Sequence, residues 1–371
     1  MDDDILNKLG AEATGANSSE EPGSGEWSAH AAVRGVMTTA YALIVLVGAL
    51  GNVTLLKIFV STGALRSVPN IFISSLAAGD LLLLVTCVPV DAFRFFSDDW
   101  MLGEAACKLL PAVQLTSVGV SVFTLTALSA DRYKAIVKPM DIQTSSAVLQ
   151  TCLKAAAVWL LSILLAIPEA VFSQVVHMQR GTENVTFINC VPYPLSDQTH
   201  PKVHAVVLFL VYFLVPLTVI SVYYYHIACT LMHSAHDMPG EVSEHTKRQM
   251  ETRKRLAKIV LVFVALFAVS WLPNHILYLY RSFRYQQVDL SLVHLLLTLL
   301  ARVLSFSSSC VNPFALYLLS NSFRRHFNSQ LRCGSVHPDR QASYQHSTSH
   351  IRLTSIKRAT PPIATGNRQE V

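Results

Sequence analysis

Seven apolar runs separated by short polar segments set the pattern of this chain: Gly35 to Phe59, Ile71 to Val90, Leu109 to Ala130, Ala155 to Phe172, Ala205 to Tyr225, Ile259 to Leu279 and Leu290 to Ser320. Each is close to the length a helix needs to cross a bilayer. The pattern predicts an all-α membrane protein, a seven-transmembrane helix bundle occupying 34–320. Residues 1–33 are polar, with seven acids against Lys8, and read as a disordered tail. After the seventh run, Phe323, Phe327 and Leu331 recur every four residues with Arg324, Arg325 and His326 between them. That spacing predicts a short amphipathic juxtamembrane helix over 321–333 lying in the membrane interface. The Ser, Thr, Pro and Arg of 334–371 predict a second disordered tail with phosphorylatable hydroxyls.

The short loops orient the chain. Arg66, then Arg132, Lys134, Lys138 and Lys154, then Lys247, Arg248, Arg253, Lys254, Arg255 and Lys258, and finally Arg324 and Arg325 all fall on one side. The positive-inside rule makes that side cytoplasmic and the N-terminus extracellular. The sequons at Asn17 and Asn184 then face outward and are candidate glycosylation sites. The chain opens on Asp2, Asp3 and Asp4 with no short apolar segment behind them, so the first run is expected to act as an uncleaved anchor. Charged residues are 14% of the chain, against about 25% in soluble domains. The net charge of +5 sits beside the apolar runs rather than on a soluble domain, which argues against a nucleic-acid partner and for a multi-pass membrane protein in contact with lipid.

Of seven cysteines, only Cys107 and Cys190 fall on the oxidising side, so a disulfide between them is expected. Cys333 directly follows the amphipathic segment, placed for palmitoylation or left as a plain thiol. Asp80 is an acid at mid-bilayer depth, among Asn52, Ser121, Ser308, Ser309 and Asn312. Buried intramembrane acids are costly. The hydroxyls and amides around this one suit a hard cation, making Asp80, Ser121 and Asn52 a candidate sodium site for an allosteric ion and no cofactor otherwise. Pro89, Pro168, Pro216, Pro273 and Pro313 fall in five different runs, and each frees a backbone carbonyl. Trp271 stands beside one of them, with Phe267 a turn away. Arg302 lies too deep in the seventh run for easy snorkelling, whereas Arg281 has two readings, a cavity cation or a side chain reaching the interface. Gln114, two turns from Cys107, points into the same outer cavity. No nucleophile–base pair or metal spacing marks an enzyme. Asp131-Arg132-Tyr133 ends the third run, either as flanking charges or as a switch.

Taken together, Gly51-Asn52, Leu76-Ala77-Ala78-Gly79-Asp80, Cys107, Asp131-Arg132-Tyr133, Trp159, Pro216 with Tyr224, Phe267 with Trp271-Leu272-Pro273, and Asn312-Pro313 resemble the rhodopsin-like class of G-protein-coupled receptors. Within it the chain resembles the bombesin receptors, through Arg66 to Ser74, Cys87 to Ala92, Gln114 to Tyr133, Glu251 to Lys258 and Asn312 to Tyr317. The resemblance implies a ligand, a short amidated peptide ending in His-(Leu or Phe)-Met, such as gastrin-releasing peptide or neuromedin B. It implies peptide-binding roles for Gln114, Pro192, Arg281, Ala301 and Arg302. It implies coupling roles for Asp131, Arg132, Tyr133, Tyr224, Trp271, Asn312 and Pro313. Partners implied are a heterotrimeric G protein of the Gq class, which acts through phospholipase C and calcium, then arrestin and receptor kinases.

Two departures stand out. Arg253 occupies the place where many such receptors carry an acid on the sixth helix. Leu316 occupies the usual tyrosine position after Asn312, with Tyr317 one step on, and about 100° per residue aims that ring elsewhere. Asp131 is therefore expected to restrain Arg132 alone. A small-amine receptor would need an acid near Gln114 and a retinal pigment a lysine in the seventh run, and the sequence has neither. The remaining alternatives are a receptor for another peptide and, more remotely, a transporter, which would show repeated halves.

Overall fold

The computed structural model describes residues 24–61, 67–94, 96, 99–138, 147–180, 185–194, 199–236, 244–284 and 291–331. Two compact units divide the chain at Asn328, and of the second, 329–371, the described residues are 329–331. The first unit is helical apart from one hairpin. Its elements are α1 (Ser24–Ser61), α2 (Val68–Phe93), α3 (Gly103–Val137), α4 (Ala147–Phe172), β1 (Gln174–Arg180), β2 (Val185–Val191), then α5, α6 (Glu244–Phe283), α7 (Leu292–Leu319) and α8 (Asn321–Leu331). The fifth helix, α5, has three consecutive parts: His200–Phe209, a π-helical turn Leu210–Leu214, and Val215–His236. Among the described residues seven helices are long and apolar enough to cross a membrane.

The helices outrun the apolar runs that announce them. α1 begins at Ser24, inside the stretch whose polarity reads as tail, and α6 begins at Glu244, well before Ile259. Hydropathy marks the bilayer core, but a helix continues wherever its residues favour it. Ala29, Ala31 and Ala32 extend α1, and Lys, Arg and Glu extend α6. Proline interrupts α2, α3, α4, α6 and α7 at Pro89, Pro111, Pro168, Pro273 and Pro313. In α5, Pro216 directly follows the π turn, where a widened backbone accommodates the missing donor.

The third helix is central, packed against α2, α4, α5 and α6, while α7 closes the ring onto α1, α2 and α6. One buried cluster joins Leu55, Phe72, Leu76, Leu128, Ile220, Phe263, Trp271 and Leu316. A second joins Tyr41, Leu84, Val88, Leu299 and Phe306 across α1, α2 and α7. Outward faces remain apolar: Leu43, Leu46 and Leu50 on α1 and Leu160, Leu161 and Leu164 on α4 are exposed, as lipid-facing positions require. Polar bonds fix the inner register. Ser117 donates to the Gly79 carbonyl at 2.8 Å, and the Trp159 indole to Ser75 Oγ at 3.0 Å.

Gly51 and Gly119 each sit at a close approach between helices. A Cβ on Gly51 would lie 2.7 Å from Pro313 Cγ, and one on Gly119 would lie 2.9 Å from Ser162 Oγ, 3.0 Å from Ser162 Cβ and 3.1 Å from the Tyr212 ring. Gly119→Val therefore overfills the α3–α4–α5 contact. Overpacking costs about 1–3 kcal/mol, more than the few tenths that valine gains over glycine in helix propensity. The purified variant is expected to melt several degrees below the native protein in detergent.

Candidate ligand cavity and helix switch

At one end of the bundle the hairpin is locked to α3 by a disulfide between Cys107 and Cys190. Its strands are antiparallel, with Cys190 opposite Val175 and Ile188 opposite His177. The Trp100 amide donates to the Ile188 carbonyl at 2.8 Å, and the Ile188 amide donates to Asp99 Oδ1 at 2.8 Å. The segment after α2 and the disulfide thus hold the hairpin from two sides. The apolar runs do not announce this hairpin. Asn17, Asn184 and Cys333 lie outside the described residues.

Gln114 is half-buried on α3 and Ala301 is buried on α7. Pro192, just past β2, is half-buried, and its neighbour Tyr193 packs near His200 and His204 of α5. Arg281 does not extend outward as an isolated cation. Its Nε donates to His294 Nε2 at 3.1 Å and an Nη to Thr298 Oγ1, so α6 and α7 are tied together at this end.

Arg302 is likewise engaged. Its Nη1 lies 3.3 Å from Asp91 Oδ1, and the Tyr41 hydroxyl donates to Asp91 Oδ2 at 2.8 Å. One carboxylate thereby joins α1, α2 and α7. Sequence reasoning missed Asp91, although a cation deep in an apolar run calls for an acid at matching depth. It also missed a second polar chain. Glu169 of α4 is 2.7 Å from His204 Nε2, and His204 Nδ1 is 2.8 Å from the Tyr278 hydroxyl of α6.

At mid-bundle, Asn312 donates to Asp80 Oδ2 at 2.8 Å, and Ser309 lies beside the same carboxylate. Asn52 donates to the carbonyls of Gly48 and Ser309, which leaves its own buried Oδ1 without a donor. A buried carboxylate and an unpartnered amide oxygen are the hard oxygen ligands a small cation takes. Ser121 is half-buried on α3, one turn beyond Ser117. Trp271 donates to Ser308 Oγ at 3.2 Å, with the Phe267 ring 6.2 Å away.

At the opposite end Arg132 is only 6% exposed and pairs with Asp131. It lines an apolar cavity of about 220 Å³ with Leu128, Leu256, Val260, Leu316 and Phe323. Tyr133 packs on Tyr223, and the Tyr224 hydroxyl donates to the Ala257 carbonyl at 2.7 Å. Arg253 reaches across from α6 to the Ala135 carbonyl at 2.8 Å. Tyr317 points to α8, its hydroxyl bonding Asn328 Oδ1 at 3.2 Å and its ring packing on Phe327.

A seven-helix bundle with a disulfide-braced hairpin at one end and a buried, paired arginine at the other has the layout of a membrane receptor. The family described as 7 transmembrane receptor (rhodopsin family) matches residues 51–317. A [Phe13]-bombesin receptor of Bombina orientalis is 56% identical over 87% of this chain and 83% of its own length. A bombesin receptor subtype-3 of Ovis aries is 55% identical over 79% of this chain and 74% of its own. The chain belongs to the rhodopsin family of seven-transmembrane receptors and, within it, to the bombesin receptors. It is a receptor and not an enzyme.

Proposed function

We propose that this receptor binds amidated bombesin-like neuropeptides, gastrin-releasing peptide and neuromedin B among them, and signals through the Gq class to phospholipase C and calcium. The observation that carries the reading is the placement of the half-buried Arg302 on α7, where its guanidinium can bond peptide carbonyls in forked geometry. The names of the relatives, which specify bombesin, support the same class of ligand. The Cys107 end faces the cell exterior and the Arg132 end the cytoplasm, as the loop charges require.

The peptide enters C-terminus first. Its amide end meets Gln114 and Arg302, and its upstream residues meet Arg281, Pro192 and the surface around Ala301. Closing these groups onto the peptide draws α7 and the outer half of α6 together. Pro273 then hinges the inner half of α6 outward beside Trp271, and Tyr224 and the Asn312-Pro313 region rearrange with it. Arg132 is released to the G protein. Asp80, with Asn52 and the nearby Ser121, would hold a sodium ion that favours the resting bundle. Receptor kinases and arrestin act on the tail beyond the acylated Cys333, and glycans sit on Asn17 and Asn184.

Calcium release in cells expressing the receptor, exposed to the two amidated peptides, tests this. A saturable response with a distinct half-maximal concentration for each peptide is expected. No response to either at verified surface expression would overturn the assignment.

A further inference from the structure

We propose that Asp91 makes this receptor selective for a C-terminal primary amide over a free carboxylate. The inference rests on the reading above, in which Arg302 meets the peptide's C-terminus.

A solitary guanidinium in a cavity is a carboxylate site: fork-on-fork pairing with a carboxylate is among the strongest polar contacts available. Arg302 is not solitary. Asp91 lies 3.3 Å from it, and the two side chains are 23% and 17% exposed, so both are half-shielded yet accessible. Tyr41, which bonds Asp91, belongs to the apolar cluster of Leu84, Val88, Leu299 and Phe306, so the pair borders a low-dielectric interior. A peptide carboxylate that reaches Arg302 must come within a few ångströms of the Asp91 carboxylate, and like charges at that range repel strongly in a partly desolvated site.

A primary amide meets both members. Its carbonyl accepts from Arg302, and its N–H₂ donates to Asp91. An ionised carboxylate has about four lone-pair directions. Arg302 takes one on Oδ1 and Tyr41 one on Oδ2, which leaves acceptor capacity on each oxygen. Tyr41 also fixes the carboxylate against α1, so Asp91 is positioned before the ligand arrives. Gln114 supplies neutral hydrogen bonding but no charge that distinguishes an amide from an acid. Asp91 supplies that distinction.

The test is competition binding on the full-length receptor in membranes, using one synthetic bombesin-like sequence ending in His-Leu-Met as its primary amide, methyl ester and free acid. On the native receptor the ester, neutral but lacking the donor, is expected to bind about tenfold more weakly than the amide. The acid is expected to be weaker again by on the order of tenfold, from repulsion. In Asp91→Asn the acid should gain at least about tenfold relative to the amide, whereas Asp91→Glu should keep the native order. Acid binding the native receptor as well as ester overturns the proposal, as does an unchanged acid-to-amide ratio in a surface-expressed Asp91→Asn. If that variant fails to reach the surface, the native ester-to-acid comparison decides alone. Failure of the underlying reading looks different: either no form of the peptide binds the native receptor, or amide affinity is unchanged when Arg302 is replaced by alanine.

Discussion

Replacing Arg302 with alanine should weaken binding of the amidated peptide by about ten- to a hundredfold, the equivalent of a charge-assisted hydrogen bond at about 1.5–3 kcal/mol. The same change should lower the amount of receptor at the surface. Arg302 is an ion-pair partner of Asp91, and removing it leaves a half-shielded carboxylate with the Tyr41 hydroxyl but without its counter-charge. The pair is partly exposed, so this penalty falls well short of the several kcal/mol of a fully buried one. The two effects separate in a double variant. Arg302→Ala combined with Asp91→Ala removes both charges and should recover surface expression while affinity stays low. Arg302→Lys keeps the charge but loses the planar fork, and an intermediate affinity is expected. Ligand binding alongside surface staining measures both quantities. Unchanged affinity in Arg302→Ala at native surface levels would remove Arg302 from the binding site.

The helices were legible because hydropathy is a local property. Their ends were not, because Ala29 to Ala32 and the charged start of α6 are good helix formers without being apolar. The hairpin was legible in principle, since the β-branched Val175, Val176, Val185 and Thr186 flank Gly181, but hydropathy alone does not mark it. Gln114 and Arg302 announced themselves as polar side chains in apolar runs. Their surroundings did not, since the partner of Arg302 stands 211 residues earlier in the chain. Asp91 lies in the family-like stretch Cys87 to Ala92 and passed as a match rather than as a charge in need of a counter-charge. Glu169 passed in the same way, although an acid inside a membrane span demands a partner, and His204 provides it. Pairing across helices depends on their rotation and depth, and one sequence encodes these only through packing.

The switch at the Arg132 end of the bundle is where sequence and geometry together give the second large prediction. Asp131→Ala should raise ligand-free signalling per surface receptor several-fold. Arg132 sits in an apolar cavity, only 6% exposed, with Asp131 as its ion-pair partner and its Nε unbonded. Without Asp131 the guanidinium remains desolvated and uncompensated, and states that expose it become relatively more stable. A change of about 1.4 kcal/mol moves the resting-to-active ratio tenfold, and breaking a charge-assisted bond in a shielded site is of at least that size. The sequence suggests that Asp131 acts alone, because Arg253 cannot attract Arg132 as an acid would. The structure adds a second restraint. Arg253 donates to the Ala135 carbonyl, one turn along α3 from Arg132, so α6 is still tethered to α3 through backbone instead of through the switch arginine. That bond is partly solvated, and Arg253→Ala should give a smaller rise, about two- to fivefold for a loss near 0.5–1 kcal/mol. The two restraints share no atoms, so in the double variant their free energies should add until the active state saturates. Basal inositol phosphate, normalised to surface receptor, measures all three. No rise in Asp131→Ala would mean that packing of Leu128, Val260 and Leu316 holds the arginine, and that the ion pair is incidental to restraint.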